Sequence, residues 1–307
     1  MAFYKESLAE AAFRQAGPIH HLYTKGLECE VLFHSDEDRI VAVNYVAIAI
    51  KVSGCKLLAY AVMDNHFHFI VEGMAAQALA FYDNFRGMFG KYLSRHGRSG
   101  TIMGLAEPGL KTITSLRQLR NEIAYVLRNP FVVNPDVNVF AYPWTSGNLY
   151  FNSFLECRGA SANTLSVREL RRITIMRNLP DIDSSIHFKD GAAQSWSFVD
   201  YKYAESFFDN ARQFIFCVLR NVEGQIEAAL NCGEIPVLCD DELIPHVYKL
   251  CSEKFRADSP SALDTSAKKQ LALMLKKTYY SSNKQIARLA KLPLADVNTL
   301  FPLSAPK

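Results

Sequence analysis

Residues 56–71 constrain this chain more than any other stretch, because two apolar, β-favouring runs flank the dipeptide Asp64-Asn65. Asp and Asn accept the backbone of a tight turn, so 56–63 reads as one strand and 66–71 as its hairpin partner. Around this hairpin the pattern alternates. Residues 19–23 are apolar and end at the turn signal Thr24-Lys25-Gly26. Ser35 offers an N-cap, and Asp36, Glu37 and Asp38 suit the positive end of a helix; the spacing predicts that helix over 37–52, stopped by Ser53-Gly54. A second helix is predicted over 76–92, with Phe81, Phe85 and Phe89 at i, i+4 and i+8. Residues 96–109 are rich in glycine and polar side chains and read as a loop. A third helix is predicted over 116–127 and closed by Asn129-Pro130, since the residue before proline disfavours helical backbone. The expected fold class is α+β, an antiparallel sheet with helices packed on it.

Beyond residue 151 the pattern becomes mostly helical, over 167–176, 203–219, 240–255 and 265–279, with 181–196 as a polar linker. Ser166 and Glu169 form a capping-box pattern. One domain is therefore expected over 1–155 and a helical extension over 156–307. At its end, 265–279, 283–290 and 293–300 follow one another across short turns, the outline of a helix-turn-helix at about 265–301. Lys284, Arg288 and Lys291 would then meet phosphates. The end of an ordinary helical bundle, with solvated lysines, fits the same pattern.

Hydrophobic residues make up 49% of the chain, ample for packed cores and against wholesale disorder. No apolar run reaches the ~20 residues that span a bilayer, so no membrane association is expected. The first residues lack the apolar core of a signal peptide, which makes a cytoplasmic protein the expectation. The seven cysteines include no CxxC pair, which argues against a disulfide framework and a zinc finger. A net charge of +3 permits nucleic-acid binding but leaves the phosphate contacts to a local basic patch.

The chemistry-bearing residues lie in two short segments. In His66-Phe67-His68 the two imidazoles share one face of a strand, with Phe67 and Phe69 on the other, and paired imidazoles make a partial metal site. Two surface histidines are the plain alternative. In Tyr125-Val126-Leu127-Arg128-Asn129-Pro130 the phenol and the amide, at i and i+4, share one helix face. Tyr125 is a candidate covalent nucleophile and Asn129 a candidate oxygen ligand. A half-buried aromatic and a helix C-cap fit the same residues.

Taken together, these segments resemble a family. Residues 58–72, Leu-Ala-Tyr-Ala-Val-Met-Asp-Asn-His-Phe-His-Phe-Ile-Val-Glu, are similar to the HUH segment of the IS200-like single-tyrosine transposases, and most to their REP-associated branch. Residues 19–26 resemble the family's opening strand and turn, 92–100 its basic Arg-x-Gly loop, 125–130 its catalytic helix, and 142–146 its Tyr-Pro-Trp-Ser-Ser segment. The resemblance covers about residues 17–151. Asp64 stands where the family usually has proline, and 101–110 is less basic than the family's corresponding stretch.

The resemblance implies an HUH nuclease fold with a ferredoxin- or RRM-like sheet. It implies a metal-dependent endonuclease and strand transferase acting on single-stranded DNA with hairpins. Tyr125 would form a 5′-phosphotyrosine, and His66, His68 and Asn129 would hold one Mg²⁺ or Mn²⁺. Arg95, Arg98, Lys111, Arg117, Arg120 and Arg128 lie between the histidines and just past Tyr125, and with Lys284 and Arg288 they are the candidate DNA contacts. His21 falls where the family often has histidine and is not expected to be a ligand. The family includes homodimers and monomers, and the sequence is compatible with both. A domesticated, non-mobile DNA-binding regulator and a metal-dependent RNA-processing enzyme are the alternative functions.

Overall fold

The computed structural model describes residues 7–25, 32–98, 103, 106–133, 138–233, 236, 238 and 240–302. The predicted hairpin forms β2 (Lys56–Val62) and β3 (Phe67–Glu72), antiparallel, with a register irregularity between Leu57 and Ala59. Its turn is closed by the Met63 N–H donating to the His66 carbonyl at 2.9 Å. Strand β1 (Ile19–Lys25) adds to β3, and β4 (Glu107–Ile113) adds to β1, giving a four-stranded antiparallel sheet in the order β2-β3-β1-β4. Gly26 of the predicted turn after β1 lies outside the described residues. Across the four strands, Ala61, His68, Tyr23 and Gly109 form one row of opposed residues, and Ala59, Ile70, His21 and Lys111 form the next. Opposed residues in an antiparallel sheet share a face.

Strand β4 corrects the expectation of a loop over 96–109, of which 99–102 and 104–105 lie outside the described residues. Pro108 and Gly109 suppress the strand signal, yet both have a place at a sheet edge. A Cβ on Gly109 would sit 2.4 Å from carbons of the Tyr23 ring, so only glycine lets that ring lie across the edge strand. Helix α1 (Leu8–Gln15) also precedes the sheet, started by a capping box between Ser7 and Glu10.

The sheet's two faces are chemically distinct. On one, Phe67 and Phe69 meet Phe81, Phe85 and Phe89 of α3 (Ala75–Arg95) and Phe33 in a chain of edge-on and stacked rings. Each fully buried ring of this kind contributes about 2–3 kcal/mol, and each well-oriented pair about 1 kcal/mol more. Helix α2 (Asp36–Ser53) packs beside α3, capped by Ser35 and stopped by Gly54 at φ 70°. The opposite face carries α4 (Leu116–Val133). This helix does not end at Asn129 but continues through Pro130. An interior proline costs about 3 kcal/mol, and here 121–130 is buried throughout, so packing outweighs the lost backbone bond.

The chain divides into two compact units, 1–221 and 222–307, so the sheet's own unit extends well past the expected boundary at 155. The reason lies in α2, whose stretch from Val41 to Ile50 is buried around its whole circumference. A second, three-stranded sheet of β5 (Ala160–Ser161), β6 (His187–Lys189) and β7 (Ala192–Ala193) lies against it with α5 (Val167–Thr174). Residues 181–196 are therefore not a linker. Asp190 and Gly191, both at positive φ, make a two-residue hairpin turn, and Ile186 and Phe188 are buried. Asn44 joins the layers: its Nδ2 donates to the Ile173 and Gly191 carbonyls at 3.1 and 3.0 Å, and its Oδ1 accepts from the Ala193 N–H at 2.6 Å. The helix predicted over 203–219 is two, α6 (Tyr201–Glu205) and α7 (Ala211–Arg220), separated because Asn210 caps the second.

The second unit is helical: α8 (Val222–Cys232), α9 (Asp240–Phe255), α10 (Thr265–Thr278), α11 (Asn283–Leu289) and α12 (Leu294–Leu300). Its core gathers Leu243, Val247, Leu271, Leu275, Ile286 and Val297. The last three helices coincide with the predicted helix-turn-helix segments. The described cysteines are free thiols, buried except for Cys157. Among the described residues no helix is long and apolar enough to cross a membrane.

Replacing Asn44 by alanine strands two carbonyls and one N–H in a closed interior. Urea unfolding is expected to show about 3 kcal/mol lost, and a loss under about 1 kcal/mol would mean the buried amide does not hold the layers together.

Candidate functional site

The polar face of the central strands carries an aromatic and imidazole cluster. His68, fully buried, stands on β3 opposite Tyr23 of β1, with ring centroids 6.4 Å apart and nearly parallel. His66 ends the hairpin turn and meets His68 at right angles, with centroids 4.8 Å apart. Its Nδ1 is held 2.6 Å from Asn65 Oδ1. From the helix layer, Tyr125 presents its ring edge-on to His68 at 5.6 Å and to His21 at 6.2 Å. The structure thus brings Tyr125 to His66 and His68, from which it is dozens of residues apart in sequence. Asn129, one turn beyond Tyr125, is buried and donates its Nδ2 to the Tyr125 carbonyl at 3.4 Å.

Sequence reasoning set His21 aside as a non-ligand and did not name Glu122. Both are fully buried, and they are joined by a 2.7 Å contact between His21 Nδ1 and Glu122 Oε2. His21 Nε2 then lies 3.0 Å from His68 Nδ1. A glutamate at i−3 from Tyr125, on the helix face that tyrosine uses, was the available signal. Burial, then the neighbouring imidazoles of His66 and His21, holds His68 well below the ordinary histidine range. His68 is therefore a neutral imidazole, the form that binds metals.

The basic residues divide into two groups. Several have structural partners inside the chain. Arg98 donates to Asp38 at 2.5 Å and to the Leu32 carbonyl at 2.9 Å. Arg120 binds the Phe207 carbonyl at 2.6 Å and Asp209 at 3.0 Å. Arg128 is buried, with its guanidinium over Phe131. Arg288 forms a two-point pair with Asp240 at 2.7 and 3.0 Å. Arg98, Arg120 and Arg288 thereby tie separate segments together. Arg95 is exposed but donates to the Ile175 carbonyl at 3.1 Å. Lys111, on β4 opposite His21, is half-buried, while Arg117, at the start of α4, and Lys284, on α11, are exposed.

Asp38 is the anchor for Arg98. Burial pushes its carboxyl up, but hydrogen bonds from Arg98, Tyr92 and the His34 N–H outweigh this and hold it below the usual carboxylate range.

No protein-family model and no curated protein matches the chain. A solved structure described as the structure of the REP-associated tyrosine transposase bound to a REP hairpin aligns at 11% identity, over 48% of this chain and 84% of its own, with a TM-score of 0.33. A TM-score that low does not establish a shared fold.

Because the folded pKa of Asp38 is depressed, its stabilisation is fully present above the unfolded carboxyl value of about 4 and is lost as pH falls through the lower folded value. Arg98→Ala is expected to cost about 3 kcal/mol at neutral pH, through the buried carboxylate left unpaired. It should also flatten the acid limb of the stability curve. An unaltered melting temperature would mean that Arg98 is not structural.

Proposed function

We propose that this chain is a single-stranded DNA endonuclease and strand transferase of the single-tyrosine HUH type, with Tyr125 as its nucleophile. The observation that carries this reading is the convergence of Tyr125 and His68, from α4 and β3, with rings 5.6 Å apart and His66 beside them. A phenol next to paired imidazoles suits phosphoryl transfer through a covalent intermediate. It also agrees with the motif resemblance of 58–72 and 125–130. The Tyr125 oxygen attacks phosphorus, a phosphotyrosine ester forms, and the bond from phosphorus to the 3′ oxygen breaks. The phenol proton is given up, and the leaving oxygen gains one to become a 3′-hydroxyl. That hydroxyl can reverse the step on another phosphotyrosine, so strands are exchanged without a nucleotide cofactor.

The donor set fits a divalent cation such as Mg²⁺ or Mn²⁺. His68 is held neutral, His66 stands against it, and Asn129 uses its amide nitrogen toward the backbone, which leaves the oxygen as its ligand atom. Bound there, such an ion supplies neutralisation of the scissile phosphate's charge. The residues themselves orient the phosphate against the phenol. Lys111 and Arg117, on β4 and at the start of α4, are assigned to guiding the strand's backbone, a contact that gives affinity without reading sequence. The second unit, with Lys284 on α11, is assigned to the duplex part of a hairpin.

The test mixes the full chain, Mn²⁺ and labelled single-stranded hairpin DNA from the flanks of its own gene, with a denaturing gel as readout. A covalent adduct is expected with the native chain. Tyr125→Phe should abolish it, and His66→Ala should reduce it at least a hundredfold. Binding with no adduct, unchanged in Tyr125→Phe, would indicate a non-catalytic DNA-binding regulator instead.

A further inference from the structure

We propose that Glu122 and His21 are positioning residues that orient His68 through a buried relay and leave its Nε2 lone pair for a cation. This rests on the cation-assisted reading of the site. The three side chains are fully buried and linked in series, with 2.7 Å from Glu122 Oε2 to His21 Nδ1 and 3.0 Å from His21 Nε2 to His68 Nδ1. Hydrogen-bond direction follows from what each group can give. A carboxylate only accepts, so His21 Nδ1 is the donor. We take His21 to be neutral: with its one proton on Nδ1, its Nε2 carries a lone pair and accepts from His68 Nδ1–H, whereas a doubly protonated His21 would donate there and put the His68 proton on Nε2. The His68 proton is thereby committed to Nδ1, and Nε2 is the basic nitrogen. A carboxylate that fixes the tautomer and orientation of a ligand imidazole is a common support for metal sites. Here a second imidazole lies between the two.

The elements carrying the relay make it rigid. His21 sits in the middle of β1, paired on both sides, opposite Ile70 of β3 and Lys111 of β4. Glu122 sits on the buried stretch of α4, one turn before Tyr125. A site built for packing alone would gain nothing from this arrangement, because apolar residues of similar size are as stable or more so than a buried charged network. The fully buried polar series is better explained by a demand on His68.

Two measurements on the full chain test this. Long-range proton–nitrogen NMR on histidine-labelled protein reads the tautomer directly, with His68 assigned by the signal lost in His68→Gln. His68 and His21 are both expected as Nδ1–H tautomers. A proton on Nε2 of His68, or a mixture of tautomers, would overturn the relay. Second, Mn²⁺ affinity is measured by electron paramagnetic resonance. Glu122→Ala is expected to weaken binding about 10–100-fold, and Glu122→Gln, which can still accept from His21, should recover most of it. Unchanged affinity in folded Glu122→Ala would remove the positioning role. If that variant does not fold, His21→Gln and the native tautomer decide. If the native chain binds no Mn²⁺ at all, the cation site itself fails, whereas the NMR result still stands or falls on the relay.

Discussion

A carboxylate buried between a helix and a sheet is the constraint around which the candidate site is arranged. Removing Glu122 from water costs several kcal/mol unless a partner meets it, and that partner is His21 on the central strand β1. Sliding α4 by one residue would turn Glu122 by about 100° away from His21. The pair therefore fixes the register of the helix on the sheet. Tyr125, one turn along the same face, is delivered against His68 by that register.

The sheet separates two kinds of interior. Its aromatic face, with Phe67 and Phe69 against α3, supplies stability through area and ring packing. Its polar face gives up some of that in order to hold histidines, a tyrosine and a carboxylate. The arginines follow a similar division. Arg98 and Arg120 are spent on joining segments of the first unit, and Arg288 on joining segments of the second. The charge count alone could not show this, because a guanidinium beside a phosphate and one beside an aspartate are identical in sequence.

Much of the sheet was legible because periodicity reports burial. The hairpin around Asp64-Asn65, the phenylalanine stripe of α3 and the acidic start of α2 each leave a local signal. Strand β4 did not, since its Pro108 and Gly109 answer to a sheet edge and to the Tyr23 ring, and both are tertiary demands. The hairpin at Asp190-Gly191 did leave its signal, but polar neighbours masked it. At the candidate site, spacing and family resemblance singled out the two histidines and the tyrosine, which the fold places side by side. Glu122 and the pairing of His21 with it could not, because that contact spans about a hundred residues of sequence.

Asn44 carries a consequence for modularity. Its amide ties α2 to backbone from three separate places between 173 and 193, and α2 has no exposed side between Val41 and Ile50. The segment after residue 155 is thus part of the wall of the first unit, not an attachment to a self-sufficient domain. A chain cut at 155 would present an apolar helix with an uncovered flank, a surface that associates with itself or with chaperones. A smaller relative lacking this segment would need a different α2, polar on its outer face, so the two forms could not exchange that helix by simple recombination.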